Sequence, residues 1–139
     1  MKRFVSLFIA VVLLNGCSDD DTAGRVPRIT GKWKLVQYVS YNTAENTPDT
    51  TAYPEDNVIY DFRIDKVLSV NKDNAGYHKG EYSYKLESGH LSGSPSEKAP
   101  EEYVMTIENT KWAFDRFSDT IRLSQAYVDG GVLFLVEHN

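Results

Sequence analysis

From Thr30 to the last residue, apolar side chains recur at every second position in short runs divided by turn residues. A period of two fits only a pleated strand with one face buried, so the chain is constrained to be built from strands. Asn57 to Ile64 sets Val58, Tyr60, Phe62 and Ile64 against Ile59, Asp61 and Arg63, and Lys66 to Asn71 follows at once as a hairpin partner. Gly80 to Leu86 opposes Tyr82, Tyr84 and Leu86 to Glu81, Ser83 and Lys85. The first run, Thr30 to Tyr41, places Trp33, Leu35 and Val39 on one face and Lys32, Lys34 and Tyr38 on the other. A short piece, His90 to Ser92, and four later runs complete the set: Glu102 to Glu108, Lys111 to Phe117, Thr120 to Tyr127 and Val132 to Glu137. Asp129-Gly130 is a strong hairpin signal before the last of them.

No stretch carries a convincing amphipathic helix, so the expected fold is all-β, an antiparallel meander of about eight strands. Closing the meander into a small barrel removes the free edges that would recruit other strands. Two polar loops interrupt it, Asn42 to Asp56 and Gly93 to Glu101; polar surface loops are more often connections than sites.

Residues 1–16 read differently. A basic start (Lys2, Arg3) precedes an apolar run from Phe4 to Leu14, which is broken only by Ser6 and followed by Asn15-Gly16-Cys17. That is the layout of a secretory signal, and the run is too short to span a bilayer, which takes roughly 20 residues. Leu14-Asn15-Gly16-Cys17 resembles the bacterial lipobox, in which the Cys is acylated before cleavage in front of it; Asn15 stands where a small or apolar residue is usual. The alternative is ordinary cleavage that leaves Cys17 a free thiol. Because Cys17 is the only cysteine, no intramolecular disulfide can form, and a lipid anchor gives the thiol a use.

Ser18-Asp19-Asp20-Asp21 behind the anchor resembles the export signal of Bacteroides-type surface lipoproteins, which implies the outer face of the outer membrane. The other reading is a solvated acidic linker. Residues 17–29, with Gly24 and Pro27 and few apolar side chains, read as anchor plus flexible tether, and residues 30–139 as the single domain. The formal net charge is −5, and cleavage of the leader removes two of the cations. No basic patch is left to neutralise phosphates, so nucleic acid is not an expected partner.

Gly31-Lys32-Trp33, at the head of the first strand, resembles the lipocalin G-x-W signature. With the β runs and the leader, the chain is similar to the lipocalin-like lipoproteins of Bacteroides and relatives. The resemblance implies that Gly31 relieves crowding and Trp33 plugs one end of the barrel. It also implies that a late-strand arginine, Arg122 or else Arg116, covers Trp33 by cation–π stacking. The second lipocalin signature, Thr-Asp-Tyr, is absent, as is a helix after the final strand.

Chemistry is sparse. His78, His90 and His138 stand apart, so no metal site is expected. Asn71 to Gly76 departs from a calcium loop, with Ala75 at a ligand position and Tyr82 where a bidentate Glu belongs. No nucleophile elbow or phosphate loop occurs. Neither catalysis nor a cofactor is expected.

Aromatic content carries more: nine Tyr, six Phe and two Trp. Tyr60, Phe62, Tyr82, Tyr84, Tyr103, Trp112 and Phe114 fall on inward faces. Most serve as core, and the first six are candidate walls for a small apolar or amphipathic ligand. The competing reading is an accessory lipoprotein that docks another envelope protein. That role predicts a filled interior and an exposed apolar patch, and Lys111 to Phe117, apolar on both faces, is the cue for it.

Overall fold

Wherever apolar residues alternate in the sequence, strands form. The computed structural model describes residues 26–42, 44, 47–55, 57–91 and 101–139. The leader, Cys17, the acidic run after it and residues 92–100 lie outside that set. In chain order the strands are β1 (Gly31–Asn42), β2 (Thr47–Ala52), β3 (Ile59–Phe62), β4 (Val67–Val70), β5 (Gly80–Gly89), β6 (Glu102–Ile107), β7 (Thr110–Phe117), β8 (Thr120–Ser124) and β9 (Val132–Glu137). A 3-10 turn, Ala126–Val128, is the single helical element among the described residues.

Every pairing is antiparallel, and β1 bonds to β9, closing the sheet. Along its other edge β1 meets β3 at residues 31–34 and β2 at residues 37–42. β2 and β3 therefore share one position in the wall as an interrupted strand, and the architecture is an eight-stranded barrel with one extra strand. The Val58 carbonyl accepts from Leu35 N–H, and the Val36 carbonyl from Tyr53 N–H, on either side of the break.

β2 falls inside the Asn42 to Asp56 segment that reads as loop. All six of its residues are exposed, so it shows no alternation to find. His90 and Leu91 are not in a strand; instead β5 runs on to Gly89. The last turn is also wider than Asp129-Gly130 alone, because Gln125 N–H bonds to the Gly131 carbonyl around the 3-10 turn.

A register slip between Leu35 and Gln37 inverts the alternation in β1. A bulge of this kind adds one residue and turns every later side chain to the opposite face. Tyr38, expected outside, packs against the core, and Val39, expected inside, lines an outer groove.

The interior is solid. Leu35, Tyr60, Phe62, Leu68, Met105, Ile107, Ile121, Leu123, Leu133 and Leu135 have no exposed surface, and Trp33 has 2%. A void large enough for water would leave exposed surface on the side chains lining it, so the barrel is packed through its centre. Each such side chain contributes about 1.5–3 kcal/mol of burial free energy.

At the end where β1 begins, the near end, the Trp33 indole N–H donates to the Ile29 carbonyl at 2.8 Å, which ties the incoming chain across the barrel. Gly31 is needed for its φ of 133°, a conformation that L side chains rarely adopt. Crowding is not the reason, since a Cβ there would meet nothing within 4 Å.

The cation over Trp33 is Arg116, its guanidinium carbon 5.2 Å from the ring centroid, and not Arg122. Strand parity explains the correction. Trp112 and Phe114 point inward on β7, so Arg116, two residues on, faces the same way at the barrel's end. Arg122 sits between inward Ile121 and Leu123 and must face out. Arg116 also donates to the Arg28 carbonyl at 2.6 Å, closing the near end.

Candidate functional site

Four of the six candidate ligand-contacting aromatics, Tyr60, Phe62, Tyr84 and Trp112, are sealed in the core. Tyr82 and Tyr103 pack against it and are partly exposed. Phe62 and Tyr84 meet edge to face with centroids 5.1 Å apart, and the Tyr84 hydroxyl donates to the Arg63 carbonyl at 2.7 Å.

The opposite, far end of the barrel is stopped by an aromatic that the periodicity does not reveal. Tyr77, in the loop joining β4 to β5, inserts its ring against Tyr60, Tyr82 and Trp112 at 6.2, 5.1 and 6.1 Å between centroids. Trp112 Nε1–H donates to the Tyr77 hydroxyl at 2.8 Å. Asn74 Oδ1 accepts from the Tyr60 hydroxyl at 2.7 Å and from the Gly76 and Tyr77 amides. Burial pushes the Tyr60 hydroxyl far up, against the opposing pull of the Asn74 bond. Burial likewise pushes Tyr77 up to about 12, with the Trp112 bond pulling the other way.

Asn71, Asp73 and Asn74 fasten this loop with their side chains. Asn71 bridges Ile59 N–H and the Asn57 carbonyl, and Asp73 accepts from Lys79 N–H at 2.6 Å. Plugged at both ends, the barrel offers recognition sites on its wall.

β6 and β7 part there. Their pairing runs from Ile107 and Thr110 to Val104 and Ala113 and then stops, although β5 stays paired with β6 as far as Glu102 and β7 continues to Phe117. The gap is a half-open cleft of about 580 Å³ lined by Tyr103, Ala113 and Phe114 together with Ser88, Glu101, Glu102, Asp115, Arg122 and Ser124. Inward-pointing Tyr103 and Phe114 meet it from the core side and carboxylates form its rim. Arg122 donates twice to one Asp115 oxygen, at 2.6 and 3.1 Å, and stacks 5.7 Å over Phe117. Ser88 donates to Glu101 at 3.0 Å.

Arg122 and Ser124 also line a second groove, about 280 Å³, with Val39, Tyr41, Ala126, Val132 and Phe134. The two depressions form one outward tract over β7, β8, β9 and the end of β1. The row Val104, Ala113, Ser124, Val132, Val39 runs straight across paired strands, and Phe134, Val136 and Phe117 lie in the rows beside it. On β5, by contrast, the outward residues are Glu81, Ser83, Lys85 and Glu87. The side of the wall that bears the tract carries more apolar residues than β5, with the Arg122–Asp115 pair and Ser124 set among them.

Among the described residues no three His, Cys, Asp or Glu side chains group to hold a metal. His78 faces Asp73 at 3.6 Å in solvent. His138 lies at an outer depression with Lys32 and Asp61. The comparisons with protein-family models, with curated proteins and with solved structures return no match. The fold and the wall thus define the class of molecule: a small closed antiparallel β-barrel with a filled interior.

Proposed function

We propose that this chain is a lipoprotein, held by lipidated Cys17 in the outer membrane and facing the cell exterior, whose lipocalin-like barrel acts as a non-enzymatic docking module for another envelope protein. Trp33 stacked beneath Arg116, directly after a lipobox-bearing leader, favours the lipocalin resemblance. The observation that carries the docking role is the pairing of a solid interior with an outer groove lined by half-buried Val39 and Phe134 over buried Val132, beside Arg122 and Ser124. A groove with apolar walls and a polar, charged margin fits the composition of an interaction face. The test is co-purification from detergent-solubilised envelopes, the native lipoprotein against a Val39→Lys/Phe134→Lys variant. Docking requires a partner that the native protein retains and the variant loses, with the melting temperature unchanged. Identical profiles would refute it.

A second reading, a small apolar or amphipathic ligand, is favoured by the cleft between β6 and β7. Its volume lies in the range of small-molecule sites, about 300–1,000 Å³, and an aromatic base under a polar rim suits an amphipathic guest. Native mass spectrometry after exposure to lipid, haem and oligosaccharide extracts tests it. An adduct lost on Tyr103→Ser supports the cleft, and a bare mass throughout removes it.

A further inference from the structure

The near end of the barrel gathers the incoming chain, the β3–β4 turn, the β7–β8 turn, the C-terminal end of β9 and the ends of β5 and β6 at Gly89 and Glu102. β1 begins there with Gly31 paired to Phe62 and Trp33 paired to Glu137, and Glu137 N–H bonds to the Asp119 carbonyl of the β7–β8 turn. Each of the first three segments presents an apolar side chain to solvent: Val26 at 44% exposure, Ile64 at 85% and Phe117 at 57%. Ile64 is the most exposed large apolar residue described, and it sits at the tip of a four-residue turn whose backbone is fastened by the Arg63–Val67 and Lys66–Arg63 bonds. Nothing in the barrel's own packing calls for an isoleucine there.

The chain outside the structure says what covers these tips. Nine residue steps separate Cys17 from Val26, a reach of at most roughly 30 Å when fully extended. An acylated Cys17 thus holds this end within roughly 30 Å of the bilayer, and the apolar tips single it out as the end that meets the lipid. Arg63 pairs there with Asp65 and Glu81, and Arg116 with Glu137, while Arg28 and Lys66 add exposed cations and Glu101 and Glu102 exposed carboxylates. Apolar tips flanked by charges of both signs suit the headgroup–acyl boundary, where side chains of this type insert.

We infer that the barrel sits end-on at the membrane, with Ile64, Phe117 and Val26 dipping into the lipid surface that holds the anchor. The inference rests on the lipidation of Cys17 proposed above. The far end, with Tyr77 and the β8–β9 loop, then points away from the bilayer, and the outward tract of the wall stands upright beside it, open to a neighbour in the same membrane.

The experiment exploits the single cysteine: once Cys17 is acylated, an introduced cysteine is the one free thiol. The full-length lipoprotein carrying Ile64→Cys, Phe117→Cys or, as control, Val128→Cys is labelled with an environment-sensitive fluorophore. It is then reconstituted into phosphatidylethanolamine–phosphatidylglycerol vesicles that contain doxyl lipids. Val128 is a matched control, 58% exposed but in the far-end loop. End-on seating gives blue-shifted emission and quenching at least roughly twofold stronger at positions 64 and 117 than at 128. Equal quenching at all three sites in vesicles that float with bound protein overturns the seating and leaves the anchor intact. Failure to float overturns the anchor and the seating together.

Discussion

Replacing Arg116 by Ala is expected to cost far more stability than replacing Arg122, although a resemblance-based reading favours Arg122 as the residue that caps Trp33. Arg116 lies 5.2 Å over the buried indole and donates to the Arg28 carbonyl at 2.6 Å. A cation over a largely desolvated ring contributes about 1–2 kcal/mol and a charge-assisted hydrogen bond about 1.5. With the side chain one-third exposed, the discounted sum is about 2 kcal/mol. Arg122 pairs with Asp115 where both side chains are about two-fifths exposed, so its loss costs about 0–1 kcal/mol. For a barrel of this length 1 kcal/mol shifts Tm by about 4 °C. R116A should therefore melt about 8 °C lower than the native protein and R122A less than about 4 °C lower. Thermal unfolding followed by far-UV circular dichroism and tryptophan fluorescence measures both. A Trp33→Phe background should shrink the R116A effect if the stacking is the cause. A melt in which R122A falls as far as R116A would refute the parity argument that assigns the two arginines.

Alkaline pH should unfold the barrel earlier than its acidic composition suggests. Burial raises the Tyr77 hydroxyl from 10.0 to about 12, so below pH 10 both states are neutral and its contribution is complete. Between 10 and 12 only the unfolded chain ionises, and stability falls by about 1.4 kcal/mol per unit for each such tyrosine, with Tyr60 adding to the slope; urea midpoints from pH 9 to 11.5 will show it. Trp112→Phe removes the donor to the Tyr77 hydroxyl and should cost about 1 kcal/mol in urea unfolding. Because that bond holds the Tyr77 hydroxyl down, the same variant should titrate Tyr77 higher still in ultraviolet difference spectra. Gly76→Ala puts a Cβ 2.7 Å from Leu133 Cδ2 and 3.2 Å from the Tyr60 hydroxyl, an overpacking cost of about 1–3 kcal/mol visible as a lower Tm.

Most of the wall is legible in the sequence because most strands have one buried face. β3, β4 and β8 alternate strictly, and β9 has the limits its residues suggest. β2 is illegible because neither of its faces is buried. The inversion at Tyr38 and Val39 follows from one inserted residue in β1, and nothing local marks a bulge. Arg116 was within reach, since counting by twos from Trp112 and Phe114 leads to it. Tyr77 was not, because its place in the barrel mouth depends on Asn74 and on three aromatics from other strands. The inward aromatics could be found by period, but whether they enclose a hole or fill it is set by packing across the barrel.

Closure by β1 and β9 also governs how the molecule assembles. Nearly every other pairing joins neighbours along the chain, whereas Trp33 and Glu137 are separated by almost the whole domain. Bringing ends together across roughly 100 residues costs about 4 kcal/mol of chain entropy before any contact repays it. Local hairpins can form early, but the barrel waits for its final strand, and until then β1 and β8 each offer an open edge to any other chain. Loss of Val132 to Glu137 would thus do more than shorten the sheet: it would remove the segment that covers both edges, and a shortened chain should gather into aggregates instead of persisting as a seven-stranded monomer.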